Sequence, residues 1–286
     1  MIVRLFNFYY FLYVFLAVGV FVALYFVLRN KDKKTIYNVI RAILGVNLGL
    51  HFAKLLFPPY NANLPGSIRK VTFENICAVS TIVDLFVFTS KKEGILKDYF
   101  WFISLCGGIG ALFVPTEAFG KFAFSFDVMR FYFCHMILLV VPLLIVATGL
   151  WYPDYKKAPL IPLMFLAVET LIFVNEIILI KIGFVSSNLA EFLDPTIRNS
   201  SMIFGPIPAL GKLNVLAEIF TPPIFTKNIF GIPGVGDFYW PIVWLIIPSF
   251  VYITPAYLIL TLPYKRKRAV LADSSEEPAA TTGAAK

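Results

Sequence analysis

Long apolar runs separated by short polar segments dominate the chain. Seven runs approach or exceed the roughly 20 residues that a helix needs to cross the hydrocarbon core of a bilayer. Their ranges are 6–28, 36–57, 73–89, 99–115, 127–150, 159–180 and 239–263. The third and fourth runs are short, so their ends are poorly defined. The pattern predicts an all-α, polytopic membrane bundle of about seven transmembrane helices.

The composition supports the same class. Hydrophobic residues make up 59% of the 286 positions and charged residues only 15%, whereas a soluble domain is about 45–50% apolar and about 25% charged. This balance excludes soluble enzymes, nucleic-acid-binding proteins and disulfide-rich secreted domains. The three cysteines lie within apolar runs and lack zinc-site spacing, so we expect no metal or cofactor. The expected partners are membrane lipids.

Basic residues concentrate on alternate connections, which predicts the orientation. Fourteen of the 25 lysines and arginines lie within residues 29–34, 91–97, 156–157 and 265–286. Seven spans with the N-terminus outside and the C-terminus in the cytoplasm place all four groups on the cytoplasmic side. We therefore interpret the net charge of +8 as a topology signal rather than as a sign of an acidic partner.

The chain divides into one transmembrane domain, residues 1–264, and a tail, residues 265–286. The tail begins with four basic residues and continues as a small, polar and acidic segment, which predicts disorder. Residues 182–238 form a long outer connection that is rich in apolar residues, Pro and Gly. It is either a lid over a lipid-facing cavity or a packed loop that covers helix ends.

Polar side chains inside apolar spans are costly, and each is therefore a candidate for function. Glu74, Cys77, Thr81 and Asp84 share one face of the third span at helical spacing. A structural interpretation is also open, because cysteine is a common small buried residue and Glu74 can lie at the level of the headgroups.

Three further spans carry polar residues. Asn47, His51 and Lys54 share a face of the second span, where Lys54 is expected to extend towards the membrane surface. His135 lies well inside the fifth span, either as a general base or as a hydrogen-bonded packing residue. Arg130 lies nearer the outer face, where it can meet a lipid phosphate or Glu74. The sixth span carries Glu169, Asn175 and Glu176.

A depth argument connects the third and fifth spans, which run in the same direction. Cys77 lies about four residues from the start of its span and His135 about eight from the start of its own. At 1.5 Å per residue the depths differ by roughly 6 Å, which side-chain reach and helix tilt can absorb. The thiol and the imidazole can therefore meet in the outer leaflet if the two helices are adjacent.

Three segments resemble the YwaF family of integral membrane proteins, which includes a eukaryotic transmembrane phospholipid acyltransferase. They are ENICAVSTI with Cys77, RFYFCHMILLVVPLL with His135 and Pro142, and GFVSSNLAEFLDP with Asn188. Order and spacing agree over about half of the chain, residues 63–208. One departure is Asn75, which stands where the family usually has histidine.

The resemblance implies acyl exchange on phospholipid and lysophospholipid through a cysteine acyl-thioester. In this hypothesis Cys77 is the nucleophile and His135 is its base, and Asn188 or Asn47 hydrogen-bonds the oxyanion. His51, Glu74, Arg130 and Glu176 are supporting or substrate-binding candidates.

Two other classes of function stay open. A transporter or channel would use Glu169, Glu176 and His51 as a polar path, although the sequence has no inverted repeat of the kind many transporters contain. A receptor-like or scaffolding seven-span protein would need no chemistry. Loss of acyl exchange on substituting Cys77 would support the acyltransferase. Loss of flux on substituting Glu176 would support the transporter or channel.

Overall fold

The chain folds as a helical membrane bundle in the computed structural model. The structure describes residues 1–90, 92–197, 199, 201–207, 211–212 and 214–276, with the backbone alone described for residues 271–276. Helices dominate these residues, and no β-strand occurs among them apart from an isolated bridge between Ile2 and Phe122. The predicted all-α membrane architecture is confirmed.

Eleven α-helices are described. They are α1 (Phe8–Leu28), α2 (Lys33–Ala53), α3 (Leu64–Ile68), α4 (Ile76–Thr89), α5 (Ile95–Phe113), α6 (Phe126–Ala147), α7 (Ile161–Lys181), α8 (Leu189–Leu193), α9 (Val215–Glu218), α10 (Ile246–Thr261) and α11 (Lys265–Glu276). Short 3₁₀ turns extend several of them. Each predicted apolar run thus corresponds to one helix, with boundaries shifted by up to seven residues.

Short polar side chains fix where several long helices begin. Asn7, Asp32, Asn75 and Ser125 each accept a hydrogen bond from a backbone N–H in the first turn of the helix that follows. Such N-caps satisfy donors that have no partner within the helix. Because an unpaired N–H is costly in the membrane, these caps also determine where α1, α2, α4 and α6 enter the bundle.

The helices alternate between two ends of the bundle. At one end, the N-terminal end, the backbone N–H of Val3 donates to Lys121 O at 3.0 Å, and the hydroxyl of Tyr10 donates to Phe113 O at 3.2 Å. At the other, the basic end, Arg268 lies 3.6 Å from Glu93 and 3.4 Å from Asp154. The α4–α5 connection, the α6–α7 connection and the C-terminal segment therefore meet at the basic end, as the distribution of lysine and arginine predicts.

The third predicted span differs from a simple transmembrane helix. Among the described residues, six helices are long and apolar enough to cross a membrane, and the helical segment Tyr60–Val71 together with α4 makes a seventh if this pair is one span. The two halves are bent by 69°. At about 1.5 Å per residue, the 14 residues of α4 cover about 21 Å, less than the bilayer core. If the pair is one span, the helical segment before the bend supplies the remaining length from the N-terminal end.

Helices α5 and α6 form the centre of the bundle. Tyr99 and Trp101 of α5 and Tyr132 and Val141 of α6 are almost completely buried, and the indole of Trp101 donates to Pro142 O at 3.1 Å. The first helix, in contrast, exposes many apolar side chains, including Phe8, as expected of a helix that faces lipid. The chain is thus a multi-pass integral membrane protein.

A short helix, α11, follows the last membrane-spanning helix and continues to Glu276. Residues 277–286 lie outside the described part, so disorder of the tail stays a prediction. The guanidinium of Arg268 donates to Tyr152 O at 2.8 Å and anchors α11 to the α6–α7 connection. The long outer connection, 182–238, contains α8, α9 and a 3₁₀ turn, and the indole of Trp244 holds it by donating to Met202 O at 3.0 Å.

Candidate functional site

A cavity of about 480 Å³ lies in the half of the bundle next to the N-terminal end. Its walls come from α2, the segment before α4, α4, α5, the α5–α6 connection, α6 and α7, with Ser201, Met202 and Ile207 of the outer connection on one side. The outer connection is therefore part of the wall. Whether it also moves as a lid stays a prediction.

Cys77 and His135 both line this cavity. Their helices, α4 and α6, both pack against α5 in the bundle. Both residues thus border one chamber, and direct contact between thiol and imidazole stays a prediction. Asp84 of the same polar stripe lies deeper, fully buried, and accepts a hydrogen bond from Ser104 at 2.9 Å.

The first turn of α4 presents Cys77. Asn75 caps the helix by accepting from Ala78 N at 2.8 Å, and the hydroxyl of Ser201 accepts from Ile76 N at 3.1 Å. The N–H of Val79 donates to Asn75 O at 2.9 Å. Among the described residues, the Cys77 N–H is the remaining donor of this turn without an acceptor. A free N–H at a helix N-terminus, with its partial positive charge, stabilises an anion beside it.

The ring of His135 is oriented by its own helix. Its Nδ1 lies 2.7 Å from Phe131 O. Because a carbonyl oxygen only accepts hydrogen bonds, Nδ1 carries the proton in the neutral ring and Nε2 holds the lone pair. The ring of Phe131 is tilted against the imidazole, with centroids 4.3 Å apart, and further restricts it. His135 thus has the tautomer that a base acting through Nε2 requires.

Two consecutive glycines of α5 bring these residues together. A Cβ at Gly107 would lie 3.4 Å from Cys77 Sγ, and a Cβ at Gly108 would lie 2.9 Å from His135 O and 2.7 Å from Leu139 N. A Cβ at Gly108 would clash with these backbone atoms of α6, so Gly108 is required for the close approach of α5 and α6. Small residues commonly allow such close helix packing in membranes.

Basic residues surround another part of the cavity wall. Lys54, Lys70 and Arg130 line it together with Tyr60 and His51. Lys54 and Arg130 both face the ring of Tyr60, at 5.6 and 5.5 Å from its centroid. Lys54 was expected to extend to the membrane surface; instead it is buried, because its ammonium donates to Lys70 O inside the bundle.

The acidic residues near the cavity have identifiable surroundings. Glu74 lines it and accepts from Arg69 at 3.1 Å and from Lys70 at 2.6 Å. Arg130 does not pair with Glu74, as one prediction had it; its guanidinium lies 3.6 Å from Asp127 and donates to the Tyr60 hydroxyl at 3.0 Å. The difference arises because Asp127 lies one turn before Arg130 on α6, while Glu74 is already paired with Arg69 and Lys70.

Three of the candidate residues lie away from the cavity. Asn188 caps α8 by accepting from Glu191 N at 2.9 Å and lines a separate pocket of about 240 Å³. Asn47 is fully buried, and its side-chain amide has no partner among the described residues. Glu176 is buried beside Arg69 and Glu74 in a very small pocket. The role in oxyanion binding suggested for Asn188 and Asn47 is therefore not supported by their positions.

The sequence did not identify several residues that the fold brings to the site. Glu117, in the α5–α6 connection, lines the cavity and lies close enough to interact electrostatically with both Cys77 and His135. Tyr60 precedes the third predicted span and carried no motif. Cys106 and Cys134 also line the cavity. Within the described residues no group of side chains has the arrangement of a metal site.

Comparison with known proteins places the chain in a family. The family model for the TMEM164 family matches residues 4–221. The chain belongs to the TMEM164 family. The match includes Cys77, His135 and every helix of the cavity wall. No curated protein and no solved structure matches the chain. Membership describes a multi-pass membrane protein; the more specific likeness to YwaF proteins stays a prediction.

Proposed function

We propose that this TMEM164-family protein transfers acyl chains between phospholipid and lysophospholipid, with Cys77 as nucleophile and His135 as base. The observation that carries the proposal is the shared cavity, in which a thiol at a helix N-terminus and an imidazole with Nε2 unprotonated face the same space. Nucleophile and base within one cavity are the basic elements of covalent acyl transfer.

The first half-reaction forms an acyl-thioester. Nε2 of His135 takes the thiol proton as Cys77 Sγ attacks an ester carbonyl of the donor phospholipid. The tetrahedral intermediate collapses when the ester C–O bond breaks, and His135 returns the proton to the leaving oxygen. The products are a lysophospholipid and acyl-Cys77, so that atoms and charge balance.

The second half-reaction reverses these steps with a different lipid. His135 takes a proton from the hydroxyl of an acceptor lysophospholipid, whose oxygen attacks the thioester carbonyl. The Cys77–acyl bond then breaks and the thiolate takes back the proton from His135. No cofactor is needed, because the energy of the ester bond is conserved in the thioester.

The Cys77 N–H is the best candidate for oxyanion stabilisation. It lies at the N-terminus of α4 next to the nucleophile and has no acceptor among the described residues. An oriented N–H in a site with little water contributes strongly to stabilising a tetrahedral oxyanion, typically about 3–4 kcal/mol for one donor. This backbone group takes the role that the sequence assigned to Asn188 or Asn47.

The experiment compares cysteine variants in reconstituted vesicles. Purified protein is mixed with a phospholipid that carries an isotope-labelled acyl chain and with an unlabelled lysophospholipid, and transfer of the labelled acyl chain is followed by mass spectrometry. Cys77→Ser and His135→Gln should each lower the rate at least about 100-fold, while Cys106→Ser, a thiol change in the same cavity, should retain it. Labelled acyl chain should be released from wild-type protein by hydroxylamine, but not from Cys77→Ser.

Two results would contradict the proposal. One is full exchange by a correctly folded Cys77→Ser protein. The other is loss of exchange in Cys106→Ser without loss in Cys77→Ser, which would assign the nucleophile to another thiol.

A further inference from the structure

Lys54 is a buried cation without a carboxylate partner. Only 5% of the residue is exposed. Its ammonium contacts Lys70 O and the ring of Tyr60. In the described part of the chain no carboxylate lies within 4.0 Å of it. A buried ammonium is stable only when paired or otherwise well solvated. This arrangement therefore leaves Lys54 able to bind an anion from the cavity.

Arg130 faces the same space with unused donor capacity. The residue is 9% exposed and its Nε has no hydrogen-bond partner among the described residues. Both Lys54 and Arg130 lie within 6 Å of the centroid of Tyr60. Two buried cations thus converge on one aromatic side chain in the wall of a cavity.

Two neighbouring carboxylates are shared with other donors and leave part of the capacity of the two cations unused. Glu74 accepts from Arg69 and Lys70. Asp127 accepts from Lys121 at 2.6 Å and from the Tyr60 hydroxyl, and lies 3.6 Å from Arg130. The arrangement therefore favours an additional anion next to Lys54 and Arg130.

We propose that Lys54 and Arg130 bind the phosphate of the lipid substrate. We call these two residues the phosphate clamp. A phosphodiester carries one negative charge and two free oxygens, which suits one ammonium and one guanidinium. The inference rests on the proposed function in one respect, namely that the lipid bound in this cavity is the substrate.

The position of the clamp is consistent with that role. Arg130 and His135 are five residues apart on α6, a rise of about 7.5 Å along the helix. In a glycerophospholipid the phosphate is separated from the ester carbonyls by a few bonds of the glycerol, a distance of the same order. A phosphate held at Arg130 thus keeps an ester carbonyl near His135 and Cys77. The clamp residues are positioning residues and take no part in bond making.

A binding experiment tests the clamp without any acyl chemistry. Cys77→Ser protein is purified in detergent and analysed by native mass spectrometry with two probes that share one acyl chain, 1-palmitoyl-lysophosphatidylcholine and 1-palmitoylglycerol. The clamp should favour the phosphate-containing probe by roughly tenfold or more, the order expected for charge-assisted contacts. Inorganic phosphate, as a third probe, should compete only at concentrations far above those of the lysolipid.

Variants then assign the preference to the two cations. Lys54→Gln and Arg130→Gln, each in the Cys77→Ser background, should bring the preference close to one by weakening lysolipid binding, with 1-palmitoylglycerol unaffected. Lys54→Arg should restore most of it. Lys227→Gln is the matched control: Lys227 is an exposed lysine paired with Asp237 in the outer connection, and its substitution should leave the preference intact.

The inference is overturned if the Cys77→Ser protein, with Lys54 and Arg130 intact, binds the two lipids equally well. It is also overturned if a folded Lys54→Gln protein keeps the full preference. Competition by inorganic phosphate at the same concentration as lysolipid would indicate a simple anion site and would likewise overturn the assignment to a lipid. Because binding is measured without turnover, failure of the clamp is distinguishable from failure of acyl transfer.

Discussion

At the scale of single residues, two glycines of α5 allow the helices around the cavity to pack closely. Gly107 and Gly108 occupy adjacent positions on α5 but face different neighbours, Cys77 Sγ and the backbone of α6. Glycines in a membrane helix allow a neighbouring helix to approach closely, but the sequence does not name that helix. Which neighbour each glycine faces became clear from the fold, because it depends on how α5 is rotated between α4 and α6.

Gly108→Ala should destabilise the protein by about 1–3 kcal/mol, the usual cost of overpacking. The added methyl group would lie within 3 Å of backbone atoms at His135 and Leu139, which cannot move aside as a flexible side chain can. The thermal unfolding midpoint in detergent is the measurement.

Gly110→Ala is the control for this change. Gly110 lies on the same helix with nothing within 4 Å of the added Cβ, and alanine has the higher helix propensity. Its unfolding midpoint should therefore be unchanged or slightly higher. Equal destabilisation by both substitutions would show that loss of glycine flexibility, rather than contact with α6, is responsible.

Between elements, a buried carboxylate at the basic end ties three parts of the bundle together. Asp98 of α5 is completely buried and accepts from Asp154 N at 2.6 Å, from Lys157 at 2.6 Å and from the hydroxyl of Tyr257 in α10 at 2.8 Å. These donors come from the α6–α7 connection and from α10. The sequence marked Lys157 as a topology signal, but not as the partner of a buried acid.

Asp98→Ala should lower stability by about 3–5 kcal/mol, because it leaves Lys157 and Tyr257 without their shared acceptor inside the protein. The expected readout is a large decrease in the thermal midpoint. An unchanged midpoint for Asp98→Ala would mean that water replaces the carboxylate.

Asp237→Ala supplies the matched comparison. Asp237 accepts from Lys227 at 2.6 Å on an exposed part of the outer connection, where hydrogen bonds with Lys227 and the Asn228 backbone lower the pKa of its carboxyl. Exposed pairs contribute little to stability, so no measurable change in the midpoint is expected for this variant.

For the whole molecule, the number of membrane crossings depends on the bent segment Tyr60–Val71 and α4. The N-terminus and Arg268 lie at opposite ends of the bundle, which requires an odd number of passes between them. If the bent segment were a re-entrant loop, the termini would lie on the same side of the membrane.

Epitope tags at the two termini should accordingly be accessible from opposite sides. With basic residues retained on the cytoplasmic side, we expect a C-terminal tag to be labelled only after permeabilisation and an N-terminal tag to be labelled in intact cells or vesicles of known orientation. Labelling of both tags under one condition would contradict the seven-pass arrangement. A reversed pattern would keep seven passes and reject only the orientation.

The sequence by itself determined the class of protein, the positions of its helices and the alternation of its basic connections. These features follow from hydropathy and charge, which act along the chain: an apolar run must be helical in lipid whatever its neighbours are. Cys77 and His135 were likewise identifiable, because their types are unusual inside apolar spans. The similar depths of the two residues in the membrane follow from the rise of a helix per residue.

Only the tertiary structure decided which side chains meet. Lys54 is buried because Lys70 and Tyr60, in the segment before α4, contact its ammonium, and Asn188 caps a short helix instead of reaching Cys77. Such contacts join residues from separate helices, and helical periodicity gives the face of a residue without naming the helix opposite. The packing of α4, α5 and α6 determines which helix faces meet, and therefore which side chains line the cavity.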